Sequence, residues 1–256
     1  MILLSSGAIV TRLPKWEKTT YKKSIVEPLN EKRMYSSILP VLPLLFSSSR
    51  ISSLKRIGPH NYEILCILLG SLLGDGSMEK SKDGYRFVFY QKGDHIEYLI
   101  WLHAHIFKHG YCKENIPQIQ SRSGGHGKLV YYCRFRTFTF SSFDWIYEGF
   151  YSKGKKALPG WIEHYLSPIA LAIWIMDDGT WIKDRGVKLS TDNFTLSEVK
   201  LLVHILTTKY KLKVSIVKTG IINQYGIYIP KSNLHLLRGE AHPLFHLLCT
   251  LIFYIN

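Results

Sequence analysis

Two stretches of the chain end in an acid that is followed by glycine. Residues 68–76 read LLGSLLGDG, and residues 171–179 read LAIWIMDDG. In both stretches a mainly apolar run ends at the acid, Asp75 in the first and Asp178 in the second. Two apolar helices packed side by side would bring these carboxylates to one point, where hard carboxylate oxygens suit a divalent cation such as Mg²⁺.

The residues around the acids predict how the two helices are placed. Gly70 and Gly74 lie one helical turn apart, so one face of the first helix carries no side chains and another backbone can approach it closely. The glycine after each acid predicts a left-handed cap that ends the helix. A single stretch of this kind is also typical of any buried helix that runs into a turn. Its recurrence about a hundred residues later favours two half-domains.

The segments that follow each acid predict alternating strands and helices. In the strand over 85–91, Arg86, Val88 and Tyr90 share one face. Its other face carries Tyr85, Phe87, Phe89 and Gln91. The first half is predicted to contain a helix after the N-cap Asn61, that strand, a helix over 94–109, a basic turn over 121–128, a strand over 129–140 and a helix over 143–151. The second half is predicted to contain a helix over 169–178, a strand over 186–192, a helix over 195–210 with a Thr195–Glu198 capping box, strands over 213–219 and 224–229, and a final helix. Each half is interpreted as αββαββα, with an ambiguous number of strands, in a mixed α/β (α+β) fold.

Composition limits the class of protein and its partners. The chain has 256 residues, 46% of them hydrophobic, and 33 Lys and Arg against 19 Asp and Glu give a net charge of +14. The apolar content is ample for a buried core. The positive charge favours nucleic acid through counterion release, with an anionic membrane surface or solubility alone as alternatives. No apolar run is long enough for a membrane span. The four cysteines include no C-x-x-C pair, so neither a zinc site nor a disulfide framework is predicted.

The residues quoted above resemble those of the LAGLIDADG homing endonucleases, in the single-chain class with two motif copies that is often encoded within organellar introns. The resemblance covers roughly residues 62–240 and extends beyond the two motifs. Further matching positions, in family order, are FVFYQK at 87–92, His95, Tyr98 and Leu99, FRT at 135–137, KKALP at 155–159, LSP at 166–168, LSTDNFT at 189–195 and IYIP at 227–230.

The resemblance implies a fold and a chemistry. It implies two pseudo-symmetric half-domains, 59–156 and 157–256, whose saddle-shaped antiparallel sheets bind double-stranded DNA and whose motif helices pack at the seam between them. It also implies a monomer that makes a double-strand break by hydrolysing phosphodiester bonds with Mg²⁺ or Mn²⁺. Asp75 and Asp178 would be the metal ligands, and Asp177 is a weaker candidate because the acid position of the family falls on Asp178.

Family members also place a lysine from each half beside the metal. Lys156 in the KKALP segment matches the first of these lysines. The second is missing, because no lysine follows Lys231 in the chain. We therefore expect the protein to fold and to bind nucleic acid, with cleavage that is impaired if the second lysine is required.

The predicted DNA contacts lie on strands that would cross the major groove, where Arg reads guanine and Gln or Asn reads adenine. They are Arg86, Gln91, Lys92, Arg134, Arg136, Lys188, Thr191 and Asn193. The alternative function is an RNA-binding maturase that helps its own intron to splice. The resemblance places the protein in an organelle, the mitochondrion before the plastid. Residues 1–58 carry ten Lys and Arg against three Glu and predict a poorly ordered basic extension, either a targeting segment or sequence translated ahead of the nuclease.

Overall fold

The computed structural model of the protein describes residues 51–233 and Leu236. Its helices are α1 (Tyr62–Leu73), α2 (Ile96–Lys108), α3 (Asp144–Phe150), α4 (Pro168–Asp178) and α5 (Leu196–Tyr210). Its strands are β1 (Ser77–Lys80), β2 (Tyr85–Lys92), β3 (Gln120–Ser123), β4 (Leu129–Arg136), β5 (Tyr151–Ser152), β6 (Lys155–Lys156), β7 (Gly179–Ile182), β8 (Gly186–Ser190), β9 (Ser215–Lys218) and β10 (Tyr225–Pro230). The final helix predicted for the second half lies outside the described residues, as does the segment without lysine.

Local signals in the sequence set the starts of three helices. Asn61 caps α1, because its side-chain oxygen accepts a hydrogen bond from the Ile64 amide at 3.1 Å. Ser167 caps α4, which has proline in its first turn. Thr195 and Glu198 form a full capping box at the start of α5. The predicted caps at Asn61 and Thr195 are thereby confirmed.

The strands form two four-stranded antiparallel sheets that share one topology. The first sheet has the order β1-β2-β4-β3, and the second has the order β7-β8-β10-β9. Each sheet follows a helix, and a second helix, α2 or α5, lies between its two pairs of strands in the sequence. The repeated order confirms the predicted α+β class with two similar halves.

Several short strands lie outside the predicted ones, and β3 and β7 show why. β3 falls in the segment predicted as a basic turn, and all four of its residues are exposed, so it shows no alternation of apolar and polar side chains. β7 begins at Gly179, directly after the second acid, where the sequence predicts only the end of a helix. Both strands are specified by pairing, β3 with β4 and β7 with β8.

The seam, meaning the contact between α1 and α4, joins the two halves through glycine. A Cβ atom added to Gly70 would lie 2.5 Å from the Ala170 carbonyl oxygen, which is closer than real side chains allow. A Cβ atom added to Gly74 would collide with Asp177 and lie 3.0 Å from its Oδ2 atom. The predicted close approach is therefore confirmed: the α4 backbone occupies the space beside Gly70, and the Asp177 side chain occupies the space beside Gly74.

The predicted left-handed caps after the two acids are wrong. Neither Gly76 nor Gly179 has a positive φ angle, and Gly179 is extended with φ −79° and ψ 126°. Both positions require glycine for a different reason, namely the lack of space. A Cβ atom on Gly76 would collide with Ser71, and one on Gly179 would collide with the Ile175 carbonyl. The chain thus turns tightly against its own helix and enters a strand.

The packed region begins before the predicted boundary at residue 59. Ser53–Lys55 form a 3-10 turn, and the Arg56 guanidinium lies 4.4 Å from the centre of the Phe138 ring. Residues 51–58 therefore contact the first half, while residues 1–50 lie outside the described part of the chain. Among the described residues, Cys66, Cys112 and Cys133 are buried free thiols. No helix among these residues is long and apolar enough to span a membrane.

The glycine packing at the seam gives a direct test. We expect Gly70→Ala to lower the free energy of unfolding by about 2 kcal/mol or more, because the methyl group must displace the α4 backbone. Chemical denaturation measures the change. Gly160→Ala is the matched control, since nothing lies within 4 Å of its added Cβ atom. Equal stability of both variants and the parent protein would contradict the described seam.

Candidate active site

Asp75 and Asp178 emerge together at the end of the seam. Asp178 is the last residue of α4, and Asp75 follows the end of α1 by two residues. Asp75 is exposed, whereas Asp178 is half-buried. Burial and then the negative charge of Asp75 raise the pKa of Asp178 to about 7, against the opposing charge of Lys156. The two carboxylates are therefore close enough to repel one another.

Lys156 reaches the same point from the β5–β6 hairpin. The two-residue turn of this hairpin, Lys153 and Gly154, has positive φ angles at both positions. The Lys156 ammonium donates hydrogen bonds to the carbonyl oxygens of Gly74 at 2.7 Å and Gly76 at 3.0 Å, on either side of Asp75. Burial lowers the pKa of Lys156, and the charges of Asp178, Asp177 and Asp75 oppose that shift. The structure thus brings Lys156 to the carboxylates.

Gln91 belongs to the site rather than to the exposed face of its sheet. It is 7% exposed, and its amide nitrogen donates to Asp75 Oδ2 at 3.0 Å and to Asp177 Oδ1 at 3.3 Å. It was predicted to contact bases, but it lacks the exposure that such a contact needs. The alternation of side chains along β2 indicates this burial, because Gln91 shares a face with the buried Phe87 and Phe89.

Asp177 lies deeper than its neighbour Asp178. Its Oδ2 atom is inaccessible to solvent, and its carboxyl group interacts with the hydroxyl groups of Tyr98 and Ser71. Burial and then the charge of Asp75 raise its pKa well above the usual range. These groups line a cavity of about 10 Å³ between the helices and the first sheet. The Asp177 carboxyl group is therefore buried in the seam.

The carboxylate pair suits a divalent cation. Burial and then the charge of Asp75 raise the pKa of Asp178, and a cation bound between the two carboxylates would offset that charge. Mg²⁺ keeps several waters and needs few protein ligands, so one carboxylate from each helix would be sufficient. Within residues 51–233, no group of three or more His, Cys, Asp or Glu could hold a metal ion. Asp75 and Asp178 offer the hard oxygen ligands that Mg²⁺ or Mn²⁺ takes.

The first sheet presents a basic and aromatic outer face. Arg86 and Arg136 each donate to Glu79 Oε1 at 2.6 Å. Burial would raise the pKa of Glu79, but the hydrogen bonds from the two arginines lower it. Arg134 and Lys92 are exposed, and the Lys92 ammonium lies 5.7 Å from the centre of the Tyr90 ring. Four of the predicted DNA contacts therefore share one surface.

The second sheet carries fewer of the predicted contacts. Lys188 is half-buried and pairs with Tyr228 on β10 and Thr180 on β7. Asn193 is exposed in the turn before α5. Thr191 was also predicted to contact DNA, but it is 2% exposed and its hydroxyl donates to the Tyr225 carbonyl at 2.6 Å. Its side chain is already used inside the protein and is not available to a base.

Sequence reasoning missed several side chains on the outer faces. Arg122 of β3 lies with its guanidinium 5.8 Å from the centre of the Tyr132 ring, beside the row of arginines on β4. Because β3 is short and polar, its strand pattern gave no signal. The tyrosines Tyr90, Tyr132 and Tyr228 were visible in the strand alternation, and only the pairing of the strands shows that they line these faces.

Burial of Asp178 and the charge of Asp75 predict a pH-dependent gain in stability from Asp178→Asn. The folded protein without metal must ionise Asp178 at a pKa of about 7, whereas the unfolded chain ionises it at its ordinary pKa of 3.8. Ionised Asp178 therefore costs stability above pH 7, and the cost fades as the pH falls toward 4. We expect the variant to be more stable by about 1–2 kcal/mol at pH 8 and to converge with the parent near pH 4.

Denaturation in EDTA at a series of pH values measures this gain. Asp83→Asn is the control, because Asp83 is exposed in the β1–β2 turn. A gain that does not change between pH 4 and pH 8 would contradict the raised pKa of Asp178.

Comparisons with known proteins place this geometry in a family. Residues 65–237 match the LAGLIDADG DNA endonuclease family. The cytochrome b mRNA maturase bI2 of Debaryomyces hansenii is 45% identical over 187 residues, which cover 72% of this chain and 71% of the relative. The maturase bI2 of Saccharomyces cerevisiae is 43% identical over 74% of this chain, and the match spans 47% of the yeast protein.

Relatives named as endonucleases and a solved structure agree with this match. The intron-encoded endonuclease ai4 of Dictyostelium discoideum is 40% identical over 143 residues, which cover 54% of this chain and 89% of the relative. The homing endonuclease I-WcaI, solved bound to its DNA recognition sequence, is similar in structure with a TM-score of 0.62 and 26% identity, over 81% of this chain and 91% of that one. With its two motif helices packed at the seam between two matching sheets, the chain belongs to the LAGLIDADG DNA endonuclease family.

Proposed function

We propose that the protein is a site-specific double-strand DNA endonuclease that promotes intron mobility and depends on Mg²⁺ or Mn²⁺. The observation that carries this proposal is the meeting of Asp75 and Asp178 at the end of the seam, with Lys156 beside them and a four-stranded sheet in each half. Lone carboxylates at two helix ends would be common, but a repelling pair from two matching halves is typical of a metal site. The DNA-bound relative supports DNA as the substrate class.

The residues of the site divide the work. Asp75 and Asp178 would hold the cation, which supplies the charge that stabilises the attacked phosphate and an activated water. Lys156 adds positive charge at the same phosphate, from an ammonium fixed by the Gly74 and Gly76 carbonyls. Gln91 orients the Asp75 carboxylate through its hydrogen bond to Oδ2. Each half would address one DNA strand, so a monomer with half-domains 59–156 and 157–256 suffices for a double-strand break.

The outer faces of the sheets would bind the duplex. Most of the charge comes from the first sheet, where arginines and Lys92 can neutralise phosphates or read base edges in the major groove. The proposed contacts are Arg86, Lys92, Arg122, Arg134, Arg136, Lys188 and Asn193. Gln91 and Thr191 are left out because they are buried.

A second candidate function is that of a maturase that binds its own intron RNA. The observation that favours it is that two relatives with 45% and 43% identity are named as cytochrome b mRNA maturases. Relatives of both names support an intron-encoded protein, and we propose the mitochondrion as its location.

The endonuclease proposal is tested on a library of DNA junctions that represent intron insertion sites. We expect staggered breaks at one recurring site with Mg²⁺ and none with EDTA. Asp75→Asn and Asp178→Asn should each lower the cleavage rate by at least about a hundredfold, because each removes a metal ligand, and should keep DNA affinity within about threefold. Asp83→Asn is again the control and should cleave normally. Loss of DNA binding in both aspartate variants would contradict their assignment as metal ligands.

The maturase candidate is tested by binding and splicing of the intron RNA that contains the reading frame. Filter binding and a self-splicing assay measure the effect of added protein. If the second candidate is right, the protein should accelerate splicing, and Asp178→Asn should splice as well as the parent, because splicing needs no metal at the seam carboxylates. If the protein does not change the rate of splicing and makes site-specific DNA breaks, the maturase candidate is rejected and the endonuclease proposal stands.

A further inference from the structure

The seam admits one side chain at the position before the catalytic acids, and that side chain comes from α4. In the two motifs Gly74 precedes Asp75, and Asp177 precedes Asp178. Any Cβ atom on Gly74 would collide with Asp177. The two halves are therefore unequal at their point of closest contact, where α1 contributes only backbone and α4 contributes a carboxyl group.

This carboxyl group is tied to one of the two metal ligands. The Gln91 amide nitrogen donates to Asp177 Oδ1 at 3.3 Å and to Asp75 Oδ2 at 3.0 Å. Gln91 is buried, so water does not compete freely for its amide group. Asp177 on α4 thereby fixes the amide that orients Asp75 on the other side of the seam.

Asp178 has no matching arrangement in the described part of the second half. Gln91 and Thr191 occupy equivalent positions in the two halves. In the first sheet, Ser77, two residues after Asp75, pairs with Val88, and Gln91 lies three residues after Val88. In the second sheet, Thr180, two residues after Asp178, pairs with Lys188, and Thr191 lies three residues after Lys188. The Thr191 hydroxyl donates to the Tyr225 carbonyl instead. The two carboxylates are thus held in different ways.

We propose that Asp177 is a positioning residue for Asp75, acting through the Gln91 amide, and that it serves the cleavage of one DNA strand more than the other. This inference rests on the proposed endonuclease function. If the Gln91 amide loses its second acceptor, it can rotate, and the Asp75 carboxylate loses the orientation that metal binding needs. The link holds Asp75 and not Asp178, so a misplaced Asp75 should displace the shared cation from the strand that the first half addresses more than from the strand beside Asp178, which should be cut the faster of the two.

Two variants of Asp177 separate hydrogen bonding from packing. Asp177→Asn keeps a carbonyl oxygen where Gln91 donates, whereas Asp177→Leu keeps the number of side-chain atoms and removes both oxygens. The substrate is a supercoiled plasmid that carries the site recovered from the junction library, with each strand labelled separately. Melting temperature and DNA affinity are measured for all three proteins.

We expect the parent and Asp177→Asn to linearise the plasmid, whereas Asp177→Leu accumulates nicked circles with every nick on the same strand. The rate for the slower strand should fall by about tenfold or more, as for other partners that orient a metal ligand. If Asp177→Leu slows both strands equally, or linearises the plasmid without a nicked intermediate, the inference is wrong and the endonuclease function stands. If Asp177→Asn behaves like Asp177→Leu, the hydrogen bond to Gln91 is not the cause and the inference is wrong.

A parent protein that binds DNA and cuts neither strand would reject the endonuclease function instead. Mn²⁺ binding, followed by electron paramagnetic resonance, then decides the inference without cleavage. Weaker Mn²⁺ binding in Asp177→Leu, with binding retained in Asp177→Asn, would support the positioning role. Equal binding by all three proteins, or none by the parent, would overturn it.

Discussion

The contact between the two motif helices is the constraint on which the rest of this structure depends. It places the α4 backbone against Gly70 and the Asp177 side chain against Gly74, where any side chain on the glycine would collide. Because the helices touch, their last residues lie side by side, and each then feeds directly into the first strand of its sheet. A wider helix pair would separate Asp75 from Asp178 and both from Lys156. The position of the site is thus a consequence of helix packing.

This packing concentrates negative charge in a strongly positive protein. Three acids, Asp75, Asp177 and Asp178, meet where the helices end, while the chain as a whole carries +14. Burial raises the pKa of Asp177 well above its usual range and, together with the charge of Asp75, raises that of Asp178 to about 7. Such an arrangement costs stability in the absence of a cation, which is typical of functional sites. In the proposed function, the basic sheets would bind a polyanion, and the carboxylates would hold the metal ion that its phosphate shares.

The two halves share a topology but differ in chemistry. Both sheets have the same strand order, yet the outer face of the first is rich in arginine and tyrosine. On the second sheet, Lys188 pairs with Tyr228. The carboxylates differ as well, since Gln91 orients Asp75 and no equivalent amide reaches Asp178 among the described residues. A repeated fold therefore sets the positions of both halves, and individual side chains make their roles unequal.

The sequence by itself determined the motif helices, their glycine face, the caps at Asn61 and Thr195, the repeated order of elements and the pair Asp75 and Asp178. These features depend on local spacing and on side-chain type, which a single chain displays directly. Only the tertiary structure decided that Gln91 and Thr191 are buried, that β3 and β7 are strands, and that the glycines after the acids serve close packing rather than a left-handed cap. It alone showed that Asp177, in the seam, accepts a hydrogen bond from the Gln91 amide. Each of these depends on which residues meet across strands and helices far apart in the chain, and that meeting is set by packing, which leaves no local pattern in the sequence.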